Sequence, residues 1–425
     1  MPPESNMAAA TASAAPGLNA RALVKPALWL VLLAAAGTFA MTMGTRQTMG
    51  LFLSSLNTST GLGIGSISLA FAFGQLWWGL TQPFAGIVAD RIGTGRVIFI
   101  GVLLVALGTI LTPLMSSTAG LIFAIGVLAA GGAGMAGPSV LMAATTRLVP
   151  PERRGLAVGL VNAGGSFGQF AMAPIAVALI ATAGWANAMQ WLGVIVLLAL
   201  PAAWVLKGHS VHLPSVDGAA HPLTARQAIS QALANPSYRL LSLGFFVCGF
   251  HVAFLATHLP GVVAACGLDP QIGAWALSMI GLFNIIGSLS MGWAVGRWRM
   301  KSLLTLVYTV RGLAVLVFLF APKTPTVVLV FAAVMGLSYL STVPPTAGLV
   351  AKFFGPANMA TLFGIVMLAH QVGGFLGAWL GGKVFAATGS YDWVWYIDIV
   401  LAAGAALVNL PIREAVLKPR AAAAA

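Results

Sequence analysis

The chain has 425 residues, of which 59% are hydrophobic and only 7% charged, and its mean hydropathy is +0.96. A water-soluble domain carries roughly 25% charged residues, so this composition excludes a surface that faces water and requires one that faces lipid. The net charge of +13 does not mark a nucleic-acid binder, because the basic residues lie in short segments between apolar runs and form no solvated face.

Residues 1–26, rich in Ala, Ser and Pro, read as a disordered cytoplasmic tail without the apolar core of a cleaved signal. A membrane span needs about 20 apolar residues. By that measure spans lie near 27–52, 64–88, 97–116, 119–146, 155–182 and 187–206, giving a first six-helix bundle over 27–206. A polar cytoplasmic linker follows, 207–238, with His209, His212, Asp217, His221 and an amphipathic stretch, Leu223–Leu233, suited to the membrane surface. Six more spans near 239–264, 271–295, 302–321, 324–350, 359–386 and 393–412 make a second bundle over 239–412, and 413–425 is a second cytoplasmic tail. Cys248 and Cys266 would stand about 27 Å apart along a helix, so no disulfide joins them. Neither a metal motif nor a cofactor motif is present.

Charge placement orients these spans. Of 21 Lys and Arg, Lys323 and Lys383 fall on one side, Arg46 and Arg311 fall within spans, and all the others fall on the side of the two tails and the linker. The positive-inside rule makes that side cytoplasmic and the location a cell (inner) membrane crossed many times.

The two halves repeat. Gly86 and Arg91 after span 2 match Gly292 and Arg297 after span 8 at an offset of 206, as Pro138 matches Pro344. Gly159 and Gly168 match Gly364 and Gly373 at 205, and Arg46 falls on His251 at the same offset. Parallel six-span repeats place a substrate site between the halves near the midplane.

The segment Gly86–Arg96, GIVADRIGTGR, resembles the loop motif between spans 2 and 3 of the major facilitator superfamily. That resemblance implies the twelve-helix, all-α fold of two bundles and a conformational latch at Gly86, Asp90, Arg91, Gly93 and Arg96. Gly86 would allow close helix approach, and Asp90 would accept hydrogen bonds from a helix N-terminus. Thr94 and Gly95 replace the usual basic residues, and Gly296 replaces Asp in the second copy. Gly44–Leu53 and Arg154–Gly164 further resemble the monocarboxylate-porter-like branch, which implies that a basic residue near Arg46 attracts a substrate carboxylate. Span 8, by contrast, lacks the Asp and Arg of that branch's animal members.

Only Asp398 among the acids lies inside a span, against the basic residues Arg46, Arg311, His251, His258 and His370. An unpaired charge in the membrane costs at least about 2.5–3.5 kcal/mol, so each needs a partner or a purpose. Arg46 is the best ligand for an anion, since a guanidinium grips a carboxylate through two parallel hydrogen bonds. The bland alternative holds it on backbone carbonyls. Arg311 and Asp398, on spans 9 and 12, are expected to pair structurally. His251, facing Arg46 across the pathway, and His370 are candidates to bind substrate or carry a proton. Gln75, Asn162, Gln169, Asn284 and Gln371 complete the substrate-binding set, although helix packing is the commoner use of such residues. Trp77, Trp78, Trp393 and Trp395 fit lipid-interface or packing roles.

The sequence therefore favours a monomeric secondary transporter of a small organic anion, a monocarboxylate, coupled to protons as a symporter. Its partners would be the lipid bilayer, the anion and protons, with no nucleic acid and no cofactor. Two rivals stand beside it: an exporter of drug-like or toxic compounds, and a non-transporting membrane sensor or structural protein. No nucleophile–base pair suggests an enzyme.

Overall fold

The computed structural model describes residues 28–148, 154–207, 225–354 and 359–415. The N-terminal tail, the linker residues His209, His212, Asp217 and His221, and the final Ala run lie outside the described residues, as does the side chain of Asp90. The described residues form helices and no strand. The first six long helices are α1 Leu28–Thr60, α2 Ile64–Ile92, α3 Thr94–Leu114, α4 Thr118–Thr145, α5 Arg154–Ala183 and α6 Trp185–Val205. A short helix, Ala225–Ala234, leads into α7 Pro236–Ala265, α8 Pro270–Val295, α9 Met300–Phe320, α10 Pro325–Phe354, α11 Met359–Thr388 and α12 Asp392–Asn409.

Eleven of these are both long and apolar enough to cross a bilayer. The exception is α2, which has the length, 29 residues, but carries Ser66, Ser68, Gln75, Thr81 and Gln82. Its polarity follows from its place, since it packs along α11 of the other half.

Local chemistry sets the helix ends. Asn235, Asp269 and Thr324 each cap a helix through a side-chain oxygen, and Pro236, Pro270 and Pro325 follow them at the first helical position. A proline there loses no hydrogen bond, because that N–H is an orphan anyway. Within the spans, hydroxyls without water turn back onto their own helix: Thr38 Oγ1 donates to Ala34 O at 2.7 Å and Thr48 Oγ1 to Gly44 O at 3.1 Å.

The repeat is visible in the packing. A Cβ on Gly44 of α1 would lie 2.6 Å from the Gly168 carbonyl oxygen of α5, and one on Gly249 of α7 would overlap the His370 carbonyl of α11. Gly44 and Gly249 are related by the 205-residue offset, and so are Gly168 and Gly373, where a Cβ would overlap the Ala40 and Phe246 carbonyls. Each half gathers its own core, the second around Phe245, Phe254, Phe318 and Phe331 and the first around Val97, Val102 and Val140.

Span 4 and span 10 both break in the middle. In α4 the regular helix lapses at Ala136 and Gly137, just before Pro138, and in α10 at residues 339–342, just before Pro344.

The halves meet at the end of the molecule away from residues 28, 206 and 236. There a Cβ on Gly50 of α1 would collide with Ala256 and Thr257 of α7, and one on Gly382 of α11 with Ser68 of α2. Toward the other end the contacts stop. A Cβ on Gly86, Gly159, Gly292 or Gly364 would meet nothing within 4 Å. The close helix approach expected at Gly86 is therefore absent, because α2 and α11 have separated before that depth.

Candidate functional site

The α1 helix carries Arg46 to the seam between the bundles, half-buried at the floor of the closed end. Its guanidinium donates to Gln75 Oε1 of α2 and lies 4.6 Å from the centre of the Trp78 ring, an attraction between cation and aromatic face. Beside it is a cavity of about 30 Å³, lined also by Thr45, Phe71, Thr109 and Thr257. That is space for water. Among the described residues no carboxylate lies within 4 Å of Arg46; the ion pairs found join His251 to Asp398 and Lys352 to Glu414. This half-buried cation therefore has a neutral hydrogen-bond partner and no counter-charge among the described residues.

Around this cation the sequence-derived set divides. Gln75 holds it directly. Gln371 of α11 packs over Gly79 of α2 with its Nε2 buried and unpartnered, and Gln169 of α5 likewise leaves its Nε2 without a partner. Asn162 is exposed, one turn from the buried Ser166 toward the separated end. His370 is buried against the Phe245 ring, 4.8 Å between centroids, with neither ring nitrogen hydrogen-bonded.

Asn284 is fully engaged in structure. Its Nδ2 donates to Ser166 Oγ at 2.8 Å, and its Oδ1 accepts from the Leu340 amide at 3.0 Å and from Ser288 Oγ at 3.2 Å. The Leu340 N–H is one of those freed by the break in α10, so Asn284 satisfies backbone that lipid could not.

Two expectations are corrected. His251 does not face Arg46 across a pathway; it is 1% exposed inside the second bundle and absent from the walls of the Arg46 cavity. The offset that equates Arg46 with His251 is kept, but His251 turns inward because partners await it there. Nor do Arg311 and Asp398 pair directly, because His251 stands between them. Its Nε2 lies 3.0 Å from Asp398 Oδ1, and its Nδ1 lies 3.3 Å from an Arg311 guanidinium nitrogen. Arg311 also donates to the Ser338 and Tyr339 carbonyls exposed by the α10 break. The carbonyl-held arginine considered for Arg46 is thus realised at Arg311.

His258 is structural too: its ring Nε2 meets Ala378 O at 2.7 Å and its Nδ1 faces the Tyr391 hydroxyl at 3.5 Å. Trp78 and Trp395 are buried, the first under Arg46 and the second among Phe254, Phe318 and Phe331, whereas Trp393 is 62% exposed. Sequence reasoning missed Tyr339 and Gln47. Gln47 Nε2 donates to the Tyr339 hydroxyl at 3.3 Å, and that hydroxyl donates to Val252 O at 2.9 Å, so the pair ties α1 to α10 and α7. The one available signal was the position of Gln47 next to Arg46.

The loop after α2 turns at Gly93, whose φ of 94° disfavours any side chain. Thr94 Oγ1 donates to Leu206 O at 2.7 Å, and Gly95 presses against Ala203 of α6 and Lys207 just beyond its end. A basic side chain at either position would have no room, which explains the departure from the usual motif. Arg91 and Arg96 are exposed.

The family model described as Major Facilitator Superfamily matches residues 28–378 and again 241–425. The chain belongs to the Major Facilitator Superfamily. It is a membrane transporter of that superfamily, with the superfamily's fold. Among curated relatives it is 25% identical over 393 residues to monocarboxylate transporter 13 of Rattus norvegicus, covering 90% of this chain and 89% of the relative. It is 24% identical over 355 residues to the uncharacterized MFS-type transporter YcxA of Bacillus subtilis, covering 81% and 85%. Among solved structures the nucleoside transporter NupG superposes with a TM-score of 0.74 at 13% identity, over 91% of this chain and 99% of that one. A bacterial homolog of the human lysosomal transporter Spinster, inward-facing and unoccupied, superposes at 0.68 with 15% identity, over 91% and 95%. At such identity these two speak for fold alone.

Proposed function

We propose that the chain is a secondary transporter of a small organic anion, a monocarboxylate, working by alternating access. The observation that carries this reading is Arg46, a half-buried cation at the bundle seam whose described hydrogen bonds run to Gln75 and, weakly, to the Met43 sulfur. A carboxylate displaces a neutral amide oxygen because a charge-assisted, two-pronged hydrogen bond is the stronger one. Relatives bearing the name monocarboxylate transporter support the substrate class. Asp398, locked onto His251, offers nothing to a cationic drug in the pathway, which weighs against export of such compounds.

The closed end and the vacant glycines describe one state of the cycle. With the tails and linker in the cytoplasm of an inner membrane, as charge placement argues, this state faces inward. Gly86, Gly159, Gly292 and Gly364 then lie on the surfaces that meet in the opposite state. Asp90, Arg91, Gly93 and Arg96 serve as the latch that holds one of the two states. A monomer suffices for this mechanism.

The test is uptake of labelled lactate, pyruvate and larger carboxylates by proteoliposomes. Arg46→Ala is expected to abolish uptake, since truncating one partner of a desolvated charge pair costs about 2–5 kcal/mol, or roughly 30-fold to several thousand-fold. Undiminished uptake by Arg46→Ala at equal protein level would refute the carboxylate model.

A further inference from the structure

The second bundle contains a chain of charged groups that substrate binding at Arg46 does not use. Arg311 on α9, His251 on α7 and Asp398 on α12 are each no more than 1% exposed. Burying ions in this way is sustained only by mutual pairing and further hydrogen bonds. We propose that Asp398 is a proton-binding carboxylate positioned by His251, and that Arg311 transmits its charge state to the broken middle of α10, apart from the anion site. This deepens the transport reading above and rests on it for the identity of the co-transported anion.

The geometry fixes where each proton sits. A guanidinium can only donate, so the His251 Nδ1 that faces Arg311 at 3.3 Å must accept. The ring proton is then on Nε2, which meets the Asp398 backbone carbonyl at 3.2 Å, with Asp398 Oδ1 lying 3.0 Å from the same nitrogen as its nearest charge. His251 is neutral and Asp398 ionised, and with Arg311 the three groups sum to zero. An added proton at Nδ1 would set an N–H against the guanidinium N–H groups. Both Asp398 carboxylate oxygens are buried without a hydrogen-bond partner, and Oδ2, the one not set against His251, is the open position. A proton delivered by hydronium, which leaves as water, bonds to Oδ2; the carboxylate becomes a carboxylic acid, and the group gains one positive charge.

No other carboxylate competes for that proton among the described residues around it. On α7, Cys248 Sγ is 3.1 Å from Thr342 Oγ1. On α9, the Tyr308 hydroxyl donates to Gly244 O at 2.5 Å, with its ring 5.5 Å from Arg311. On α10, the Tyr339 hydroxyl donates to Val252 O, and on α11, His370 packs on Phe245.

The route onward is equally concrete. Arg311 divides its donors between His251 and the Ser338 and Tyr339 carbonyls. When Asp398 becomes neutral, its pull through His251 on Arg311 weakens, and the hold on the α10 break changes. Tyr339 sits in that break and receives the hydrogen bond from Gln47, the neighbour of Arg46. A positive charge gained in the second bundle also favours an anion at the seam.

Infrared difference spectra of the protein in lipid nanodiscs, taken between mildly alkaline and mildly acidic pH, read the proton site without any substrate. Acidification is expected to raise the carbonyl band of a buried carboxylic acid in the wild type and equally in Arg46→Ala. The band should vanish in Asp398→Asn and titrate at a displaced pH in His251→Gln. Where Asp398→Asn does not fold, Asp398→Glu keeps the band at a shifted frequency. A wild-type spectrum with no such band, or a band unchanged by substitution of Asp398, overturns the proposal. Pyruvate in proteoliposomes reads the coupling: Asp398→Asn should lose accumulation driven by a proton gradient, down to the equilibrium level, yet keep pyruvate-for-pyruvate exchange. Wild-type accumulation in Asp398→Asn also overturns it. Absence of pyruvate movement in the wild type refutes the anion reading alone, because the infrared result stands by itself.

Discussion

The two bundles share a scaffold and differ in what they do with charge. In the first, Arg46 points at the seam, its company is Gln75 and Trp78, and a small cavity lies beside it. In the second, at the same offset, His251 turns into the bundle and closes a circuit with Arg311 and Asp398. Val105, which lines the Arg46 cavity, lies 206 residues before Arg311, so the space left open in one half is filled by charge in the other. An internal repeat thus preserves backbone crossings while leaving polar interiors free to diverge: one half leaves its cation at the seam beside a cavity, the other holds its cation among its own helices.

Substitutions that touch only one side of this contrast test it, the largest effects first. Asp398→Ala leaves Arg311 without its counter-charge in an apolar core, and the loss of stability should be about 3–5 kcal/mol. Thermal unfolding in detergent checks this, and the double variant Arg311→Met with Asp398→Leu should recover most of it. Arg46→Met, by contrast, should leave unfolding temperature nearly unchanged while removing transport. Equal sensitivity at both sites would erase the distinction between a structural and a functional arginine.

The glycines give a second contrast. Gly249→Leu should prevent assembly of the second bundle, because the His370 backbone already occupies the space of a Cβ. Gly159→Leu should fold normally, since a Cβ there meets nothing in this state, yet block closure of the separated end. Accessibility of cysteines placed along that end to a membrane-impermeant reagent would show it, with reactivity unchanged by substrate in the variant. The smallest expected effect belongs to Gln75→Ala. It removes one neutral hydrogen bond, about 0.5–1.5 kcal/mol, so KM for the carboxylate should change less than roughly tenfold.

Much of this was legible in the sequence. Apolar runs gave the spans, the offsets of Gly44, Gly168 and Pro138 gave the repeat, and scarcity of acid made Arg46 conspicuous. The direction of each side chain was not legible. In α7 most residues are buried inside the protein, so no polar stripe marks which face is which. Lipid tails are as apolar as a leucine core, so hydropathy cannot separate the two surroundings. Symmetry with Arg46 is the one guide the sequence offers for His251, and its partners lie on α9 and α12, far along the chain. The Tyr339 link escaped notice for a related reason, since a helix break at residues 339–342 has no signature beyond the prolines that follow.

The break in α10 bears on how the protein is made. Its two helical pieces, Pro325–Ser338 and Val343–Phe354, have 14 and 12 residues, each well short of the roughly 20 needed to cross a bilayer. They must enter the membrane as one hydrophobic stretch, and the backbone groups at the joint are met by side chains of earlier helices, Asn284 of α8 and Arg311 of α9. Arg311, in turn, enters with α9 before α10 and α12 have been synthesised. The second bundle consequently completes its charge balance last, when α12 brings Asp398 to the His251 and Arg311 already held by α7, α9 and α10.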